Sequence, residues 1–196
     1  MNNLNSIAVF CGSSNGNDVN IEAHAKELGR ILAERNVQLI YGGARVGIMG
    51  LIADTVLGRS GTVIGIIPDF LKTKEVVHPN LSELITTQTM HERKLAMHER
   101  ANAFIALPGG FGTLEELFEI ITWAQLGLHK KPIGLLNSNG YFDHLIKMSE
   151  IMVEKGFLSK TNQEILLVSD SIEQLLAKME AYEAPDVPKW LNLNKT

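Results

Sequence analysis

The chain alternates between short apolar runs and longer amphipathic stretches. Seven runs are rich in β-branched residues and apolar on both faces, which predicts buried parallel strands at residues 6–11, 37–41, 62–67, 84–87, 103–107, 132–136 and 165–169. Helical spacing of apolar positions falls between them, at residues 21–34, 48–57, 90–101, 114–125, 141–154 and 172–182. This order predicts an α/β fold with a doubly wound parallel sheet and helices on both faces.

Length and composition narrow the class of protein. The 196 residues predict one domain over residues 1–182, followed by a tail over residues 183–196 that contains two prolines. The formal charge of −4 argues against a strongly basic nucleic-acid binder. A single cysteine, Cys11, excludes an intrachain disulfide, and neither a membrane span nor a signal peptide is evident. We therefore expect a cytoplasmic protein with neither a membrane nor a nucleic-acid partner.

Ligands of open α/β sheets bind beyond the carboxyl ends of the strands, and two small-residue segments follow the first two strands. Residues 11–14 (CGSS) either admit a ligand to the backbone or form a tight loop that caps a helix. Residues 41–50 (YGGARVGIMG) match neither GxGxxG nor GxxxxGK[ST]. Their glycines either offer amides to an anion at a helix start or allow close packing of helix on sheet. For residues 11–14 the pattern on its own favours the tight loop, and for residues 41–50 both interpretations stay open.

The third segment, PGGFGTLEE at residues 108–116, gives the strongest signal. It joins an apolar strand directly to a helix, so its amides are expected to converge on a phosphate at the helix N-terminus. Thr113 and Glu116 match the T-x-x-E capping box, which predicts Thr113 as the N-cap and gives Glu116 a structural role. Thr89 and Glu92 form the same pattern and predict another capped helix.

The helix at residues 90–101 repeats the tetrapeptide Met-His-Glu-Arg, so Arg93 and Arg100 lie seven residues apart on one face. These arginines either clamp a phosphate or pair with Glu92 and Glu99. Glu75, in a loop that also contains Lys72, Lys74 and His78, is on its own most simply a solvated carboxylate. The six histidines lack metal-ligand spacing, no GxSxG motif is present, and no lysine stands in a context that marks a pyridoxal phosphate site.

These motifs together resemble the LOG (Lonely Guy) family of cytokinin riboside 5′-monophosphate phosphoribohydrolases. Residues 108–116 are similar to the family's PGGxGTxxE signature. The resemblance extends to the GSS loop at residues 12–14, the YGG segment, MHERK at residues 90–94 and ITWAQ at residues 121–125. Family members have often been labelled lysine decarboxylases. The family usually has YGGG where this chain has Ala44 as the fourth residue. If that position requires a positive φ, alanine strains or shifts the loop.

The resemblance implies a Rossmann-like fold, a homodimer with active sites near the subunit interface, and a reaction without metal or redox cofactor. It implies hydrolysis of the bond between adenine N9 and ribose C1′ in N6-substituted adenosine 5′-monophosphates or AMP, releasing free base and ribose 5-phosphate. Arg93 and Glu116 would be the catalytic pair. The expected substrate-binding residues are Ser13, Gly42, Gly43, Glu75, Lys94, Gly109, Gly110, Phe111, Gly112, Thr113, Leu114, Glu115 and Thr122. The alternative is a binding protein that carries a nucleotide or a molybdopterin-type cofactor without turnover, and the preferred base stays open.

Overall fold

A computed structural model describes residues 2–72 and 77–185. Seven strands alternate with helices in this part of the chain. The strands are β1 (Ser6–Phe10), β2 (Gln38–Tyr41), β3 (Val63–Pro68), β4 (Glu83–Thr87), β5 (Ala103–Ala106), β6 (Ile133–Leu136) and β7 (Leu166–Ser169). The helices are α1 (Val19–Glu34), α2 (Gly47–Leu57), α3 (Met90–Arg100), α4 (Phe111–Gln125), α5 (Asp143–Glu154), α6 (Lys160–Gln163) and α7 (Ile172–Glu180).

The strands form one parallel sheet in the order β4-β3-β2-β1-β5-β6-β7. Successive strands move outward from β1 to β4, and the chain then crosses back to place β5 on the other side of β1. The strand order therefore reverses between β1 and β5. A crevice opens at such a point, beyond the carboxyl ends of the two strands.

Two apolar cores lie on opposite faces of the sheet. The first contains side chains of α1, α2 and α7, and the second contains side chains of α3, α4 and α5. Strand residues alternate between the cores; for example, Ile7 and Val9 belong to the first, and Ala8 and Phe10 to the second. This alternation explains why the strands are apolar on both faces.

The predicted fold class is confirmed, and each predicted strand and helix has a counterpart within a few residues. The sequence pattern missed the single-turn α6 and two short 3₁₀ turns, Asp69–Leu71 and Ser138–Gly140. These elements are too short to show a helical repeat of apolar positions. Among the described helices, none combines the length and hydropathy of a membrane span.

Candidate active site

A cleft of about 310 Å³ opens where the strand order reverses. It collects residues that follow β1, β2 and β5, together with the first turns of α2, α3 and α4. Its lining consists of Val9, Cys11, Gly12, Ser13, Gly42, Met49, Met90, Arg93, Gly110, Phe111, Gly112, Thr113, Glu115 and Glu116. All three glycine-containing segments of the sequence therefore contribute to one site.

The N-terminus of α4 is one wall of this cleft. Gly110 is the N-cap, and Phe111, Gly112 and Thr113 form the first turn. The amides of a first helical turn have no partner within the helix, and the helix dipole makes this end attractive to an anion. Phe111 is 93% exposed, so its side chain lies at the cleft and does not pack in either apolar core.

The predicted capping box at Thr113 and Glu116 is wrong. The helix starts earlier than the pattern suggests, with Gly110 as an N-cap that makes no side-chain hydrogen bond. Thr113 is buried inside the first turn, and Glu116 lies in the second turn. Gly112, which the sequence assigns to a loop, is helical here. The box at Thr89 and Glu92 shows the contrast. There Thr89 Oγ1 accepts from the Glu92 amide, and Glu92 Oε2 accepts from the Gln88 amide.

Gly109 lets the loop approach two neighbours closely. A Cβ at this position would overlap the Thr113 hydroxyl and lie 2.8 Å from the Gly12 amide nitrogen. The Gly12 amide itself donates to the Pro108 carbonyl at 3.1 Å. Gly109 therefore packs the loop after β5 against the loop after β1, rather than lining the cleft.

Arg93 enters the cleft from α3 and is held at its base by the sheet. Its Nε–H donates to the Ile66 carbonyl at 3.0 Å. Ile66 lies one residue beyond the last β2–β3 pair, Tyr41 with Gly65. The arginine side chain is only 10% exposed, and its Nη1 lies 3.9 Å from the Met90 sulfur. One end of the guanidinium is thus fixed, and the other faces the cleft.

Gly42 provides the space for this guanidinium. A Cβ on Gly42 would overlap Arg93 Nη2 and Met49 Cε. Gly42 has no positive φ, so the need for glycine here comes from its neighbours and not from its backbone conformation. Substrate binding by Gly42 stays a prediction, and the structure shows that Gly42 makes room for the Arg93 guanidinium.

Glu116 faces Arg93 across 3.6 Å, measured from Oε1 to Nη1, and its side chain is 12% exposed. Burial raises the pKa of Glu116 to about 7, although Arg93 acts to lower it. Buried Cys11 lies beside them in the lining, and burial also raises the pKa of its thiol. A carboxyl group with a pKa near neutrality can take up and release a proton during a reaction.

Several expected site residues lie outside the cleft lining. Lys94 Nζ pairs with Glu115 at 2.5 Å and with Glu119 at 3.0 Å, so its charge is held between α3 and α4. Thr122 donates to the Phe118 carbonyl and lines a separate groove. Leu114 packs against the second core, and the Gly43 carbonyl accepts from the His78 amide.

Glu75 lies outside the described residues. Ser13, Gly42, Gly110 to Thr113, Glu115, Arg93 and Glu116 are brought together as lining residues. The expected set omitted five lining residues: Val9, Cys11, Gly12, Met49 and Met90. Three of them could have been predicted from their positions in the sequence. Cys11 and Gly12 directly follow β1, and Met90 lies three residues before Arg93 on the same face of a helix.

Ala44 does not strain the loop after β2. Its φ is not positive, whereas Gly43 and Gly47 have φ values of 80° and 60°. Ala44 is buried and forms an antiparallel bridge with Val77. Alanine therefore fits this position without displacing the loop.

In the part of the chain that the structure describes, no group of three or more His, Cys, Asp or Glu residues is arranged to hold a metal ion.

Comparison with known proteins agrees with this architecture. A family model described as "Possible lysine decarboxylase" matches residues 49–179. Cytokinin riboside 5′-monophosphate phosphoribohydrolase LOG2 of Arabidopsis thaliana is 48% identical over 183 residues, which cover 93% of this chain and 84% of that protein. The probable cytokinin riboside 5′-monophosphate phosphoribohydrolase LOGL5 of Oryza sativa subsp. japonica is 44% identical, with 91% and 73% covered.

A solved structure shares the fold at lower identity. The molybdenum cofactor binding protein from Rippkaea orientalis superposes with a TM-score of 0.68 at 21% identity, covering 91% of this chain and 97% of that chain. At that identity the likeness concerns the fold alone. The similarity to the plant proteins spans nearly the whole chain, including the segments that build the cleft. The chain therefore belongs to the LOG family of cytokinin riboside 5′-monophosphate phosphoribohydrolases.

Proposed function

We propose that this protein hydrolyses the N-glycosidic bond of N6-substituted adenosine 5′-monophosphates, or of AMP itself, releasing free base and ribose 5-phosphate. One observation carries the proposal: a buried carboxyl group, Glu116, faces a fixed arginine in a cleft beside a helix N-terminus. The names of the plant relatives support the same reaction.

The α4 N-terminus would bind the 5′-phosphate. Its first-turn amides and positive dipole end suit a doubly charged group, and the exposed Ser13 hydroxyl on the opposite loop adds a donor. Binding energy from the phosphate would orient the ribose and need not come from the reacting bond. The cleft would then hold the ribose near Glu116.

Glu116 would act at the reacting carbon. Cleavage of an N-glycosidic bond builds positive charge on the ribose, as in glycoside hydrolysis. An ionised carboxylate stabilises that charge and can remove a proton from the attacking water. Water adds to C1′ as Glu116 takes its proton, and the base leaves with the electron pair of the broken C1′–N9 bond. The base takes up one proton from solvent, and Glu116 later returns one to solvent, which balances the reaction.

Arg93 would favour the ionised form of Glu116 and orient its carboxyl group. Its charge lowers the pKa of Glu116 against the effect of burial, and the bond to Ile66 fixes its direction. Glu75 stays a predicted ligand of the ribose hydroxyls. A cytoplasmic location also stays a prediction.

The decisive experiment is a release assay. Purified protein is incubated with isopentenyladenosine 5′-monophosphate and with AMP, and free base and ribose 5-phosphate are separated by chromatography. The proposal requires both products in equal amounts. Tight nucleotide binding without any released base would instead favour a carrier protein. A panel of other nucleoside monophosphates then identifies the preferred base.

We also propose a homodimer formed through an apolar groove of about 410 Å³ between α4, α5 and α6. Leu117, Ile121 and Met152 line this groove, and Phe118 at its edge is 42% exposed. An exposed apolar surface of this kind suits a second copy of the chain. Since Thr122 also lines the groove, a dimer would place α4 of each subunit at the interface.

A further inference from the structure

The loop between β6 and α5 is braced by several hydrogen bonds. Asn137 accepts from the Phe142 amide and donates to Asp143, which closes the loop on itself. Asn139 donates to Asp18 at the start of α1, and Ser138 bonds His24 on the same helix. The loop is therefore fixed against the segment that follows β1.

Tyr141 extends from this loop to the glycine-rich segment before α4. Its hydroxyl donates to the Gly109 carbonyl at 2.7 Å. Tyr141 is 48% exposed, so burial of its ring does not by itself account for the position of the hydroxyl. The neighbouring Phe142 is buried and its ring meets Tyr141 edge to face at 4.9 Å between centroids, which anchors the loop independently of the hydroxyl.

Three successive carbonyls in the glycine-rich segment are occupied. The Pro108 carbonyl accepts from the Gly12 amide, the Gly109 carbonyl from Tyr141, and the Gly110 carbonyl from the Leu114 amide. In a trans peptide the C=O of Gly109 and the N–H of Gly110 point in opposite directions. Gly110 lines the cleft, whereas Tyr141 stands outside the lining. If the Gly109 carbonyl is held away from the cleft, peptide geometry directs the Gly110 amide toward it.

We propose that Tyr141 is a positioning residue for phosphate recognition, which it serves by fixing the peptide between Gly109 and Gly110. The proposal rests on the proposed function, because it names the residue that orients part of the phosphate site. Without the hydroxyl, the Gly109 carbonyl can rotate toward the cleft, where its partial negative charge repels a phosphate.

The test is Tyr141→Phe, which removes one hydroxyl and keeps the ring. We expect KM for the nucleotide and the inhibition constant of inorganic phosphate to rise by about threefold to tenfold, the worth of one hydrogen bond. Inhibition by free adenine, which has no phosphate, stays unchanged, and kcat stays within about twofold because the reacting groups are untouched. Tyr182→Phe is the matched control, since Tyr182 follows α7 and its carbonyl accepts from Asn2, which places it near the start of β1 and away from the carboxyl ends of the strands where the cleft lies.

Equal constants in Tyr141→Phe and in the control would overturn the proposal. An equal loss of adenine and phosphate affinity would also overturn it, because it would indicate general loosening of the site. If the wild-type protein releases no base, the proposed hydrolysis fails, and calorimetric titration with inorganic phosphate decides this inference separately. The inference is supported if Tyr141→Phe binds phosphate more weakly than the wild type does. It is refuted if the two proteins bind phosphate equally well, or if the wild type does not bind phosphate at all.

Discussion

Arg93 and Glu116 lie on different helices, and their side chains meet at 3.6 Å with nine-tenths of each buried. The arginine is fixed by the Ile66 carbonyl and by the space at Gly42, so its position does not depend on Glu116 alone. The pair therefore forms a preorganised charged site in a cleft where burial and charge act on the carboxyl in opposite directions.

Glu116→Gln is expected to reduce kcat at least about 100-fold, because glutamine cannot carry the negative charge or take a proton. The nucleotide should still bind, since the α4 amides are unchanged. Steady-state release assays and calorimetric binding of AMP measure the two properties. Glu116 has no capping role, so a change in helix stability cannot account for a loss of activity. Full activity in this variant would remove Glu116 from the mechanism.

The ionisation of Glu116 is expected to control the rate. Since its pKa is raised to about 7, kcat/KM should rise with pH through that value as the carboxylate forms. Carboxyl NMR titration, with Glu116→Gln used to assign the signal, measures the pKa directly. In Arg93→Gln the lost positive charge should move that pKa higher. An unchanged or lower pKa in Arg93→Gln would contradict the electrostatic role of Arg93.

Gly42→Ala is expected to separate activity from stability. The added methyl group meets the ends of Arg93 and Met49, which can move, so the fold should persist. The displaced guanidinium should lower kcat by about tenfold to 100-fold, because small errors in position are costly in catalysis. Gly58→Ala, at the helical C-cap of α2, is the control. A large fall in melting temperature with normal kcat would indicate that Gly42 serves packing alone.

His98 is expected to make the protein less stable in acid. Its ring stacks on Phe104 and contacts Trp123 and His129, and both buried ring nitrogens have no hydrogen-bond partner among the described residues. Burial lowers its pKa from 6.5 to about 4, with Lys131 and His129 adding to the effect. The unfolded chain thus binds a proton first, so stability is complete above about pH 6.5 and falls as pH drops toward 4.

Chemical denaturation at about pH 7 and about pH 5 measures this loss. His98→Phe keeps an aromatic ring at this position and removes the titrating group, so the loss between the two pH values should shrink. His91→Phe, on the exposed side of the same helix, is the control. Identical pH dependence in wild type and His98→Phe would show that other groups cause the acid sensitivity.

Phe118→Asp is expected to convert the proposed dimer to a monomer, because it places a charge in the apolar groove. Light scattering after size-exclusion chromatography measures the mass. Phe157→Asp is the matched control, since Phe157 is 87% exposed and lies outside the groove lining. A monomeric wild-type protein, or a dimer that persists in Phe118→Asp, would refute this interface.

The sequence by itself determined the fold class, the strands and the segments that line the cleft. Apolar periodicity predicts β1 and α1 because the spacing of apolar residues along the chain differs between a strand and a helix. Glycines after β1, β2 and β5 mark where a parallel sheet binds ligands. The family pattern also supplied the pairing of Arg93 with Glu116, which the structure places in contact.

Only the tertiary structure decided how identical local sequences behave. The tetrapeptide Met-His-Glu-Arg occurs twice on α3, yet Arg93 is buried beside Ile66 while Arg100 is exposed and pairs with Glu83. Likewise Thr89 caps its helix, and Thr113 in the same pattern is buried within a helix that began at Phe111. Local spacing gives both copies the same propensity, and only contacts distant in sequence, such as β3 against α3, distinguish their environments. The raised pKa of Glu116 also depends on these contacts, because burial is a property of the packed elements and not of the segment that carries the residue.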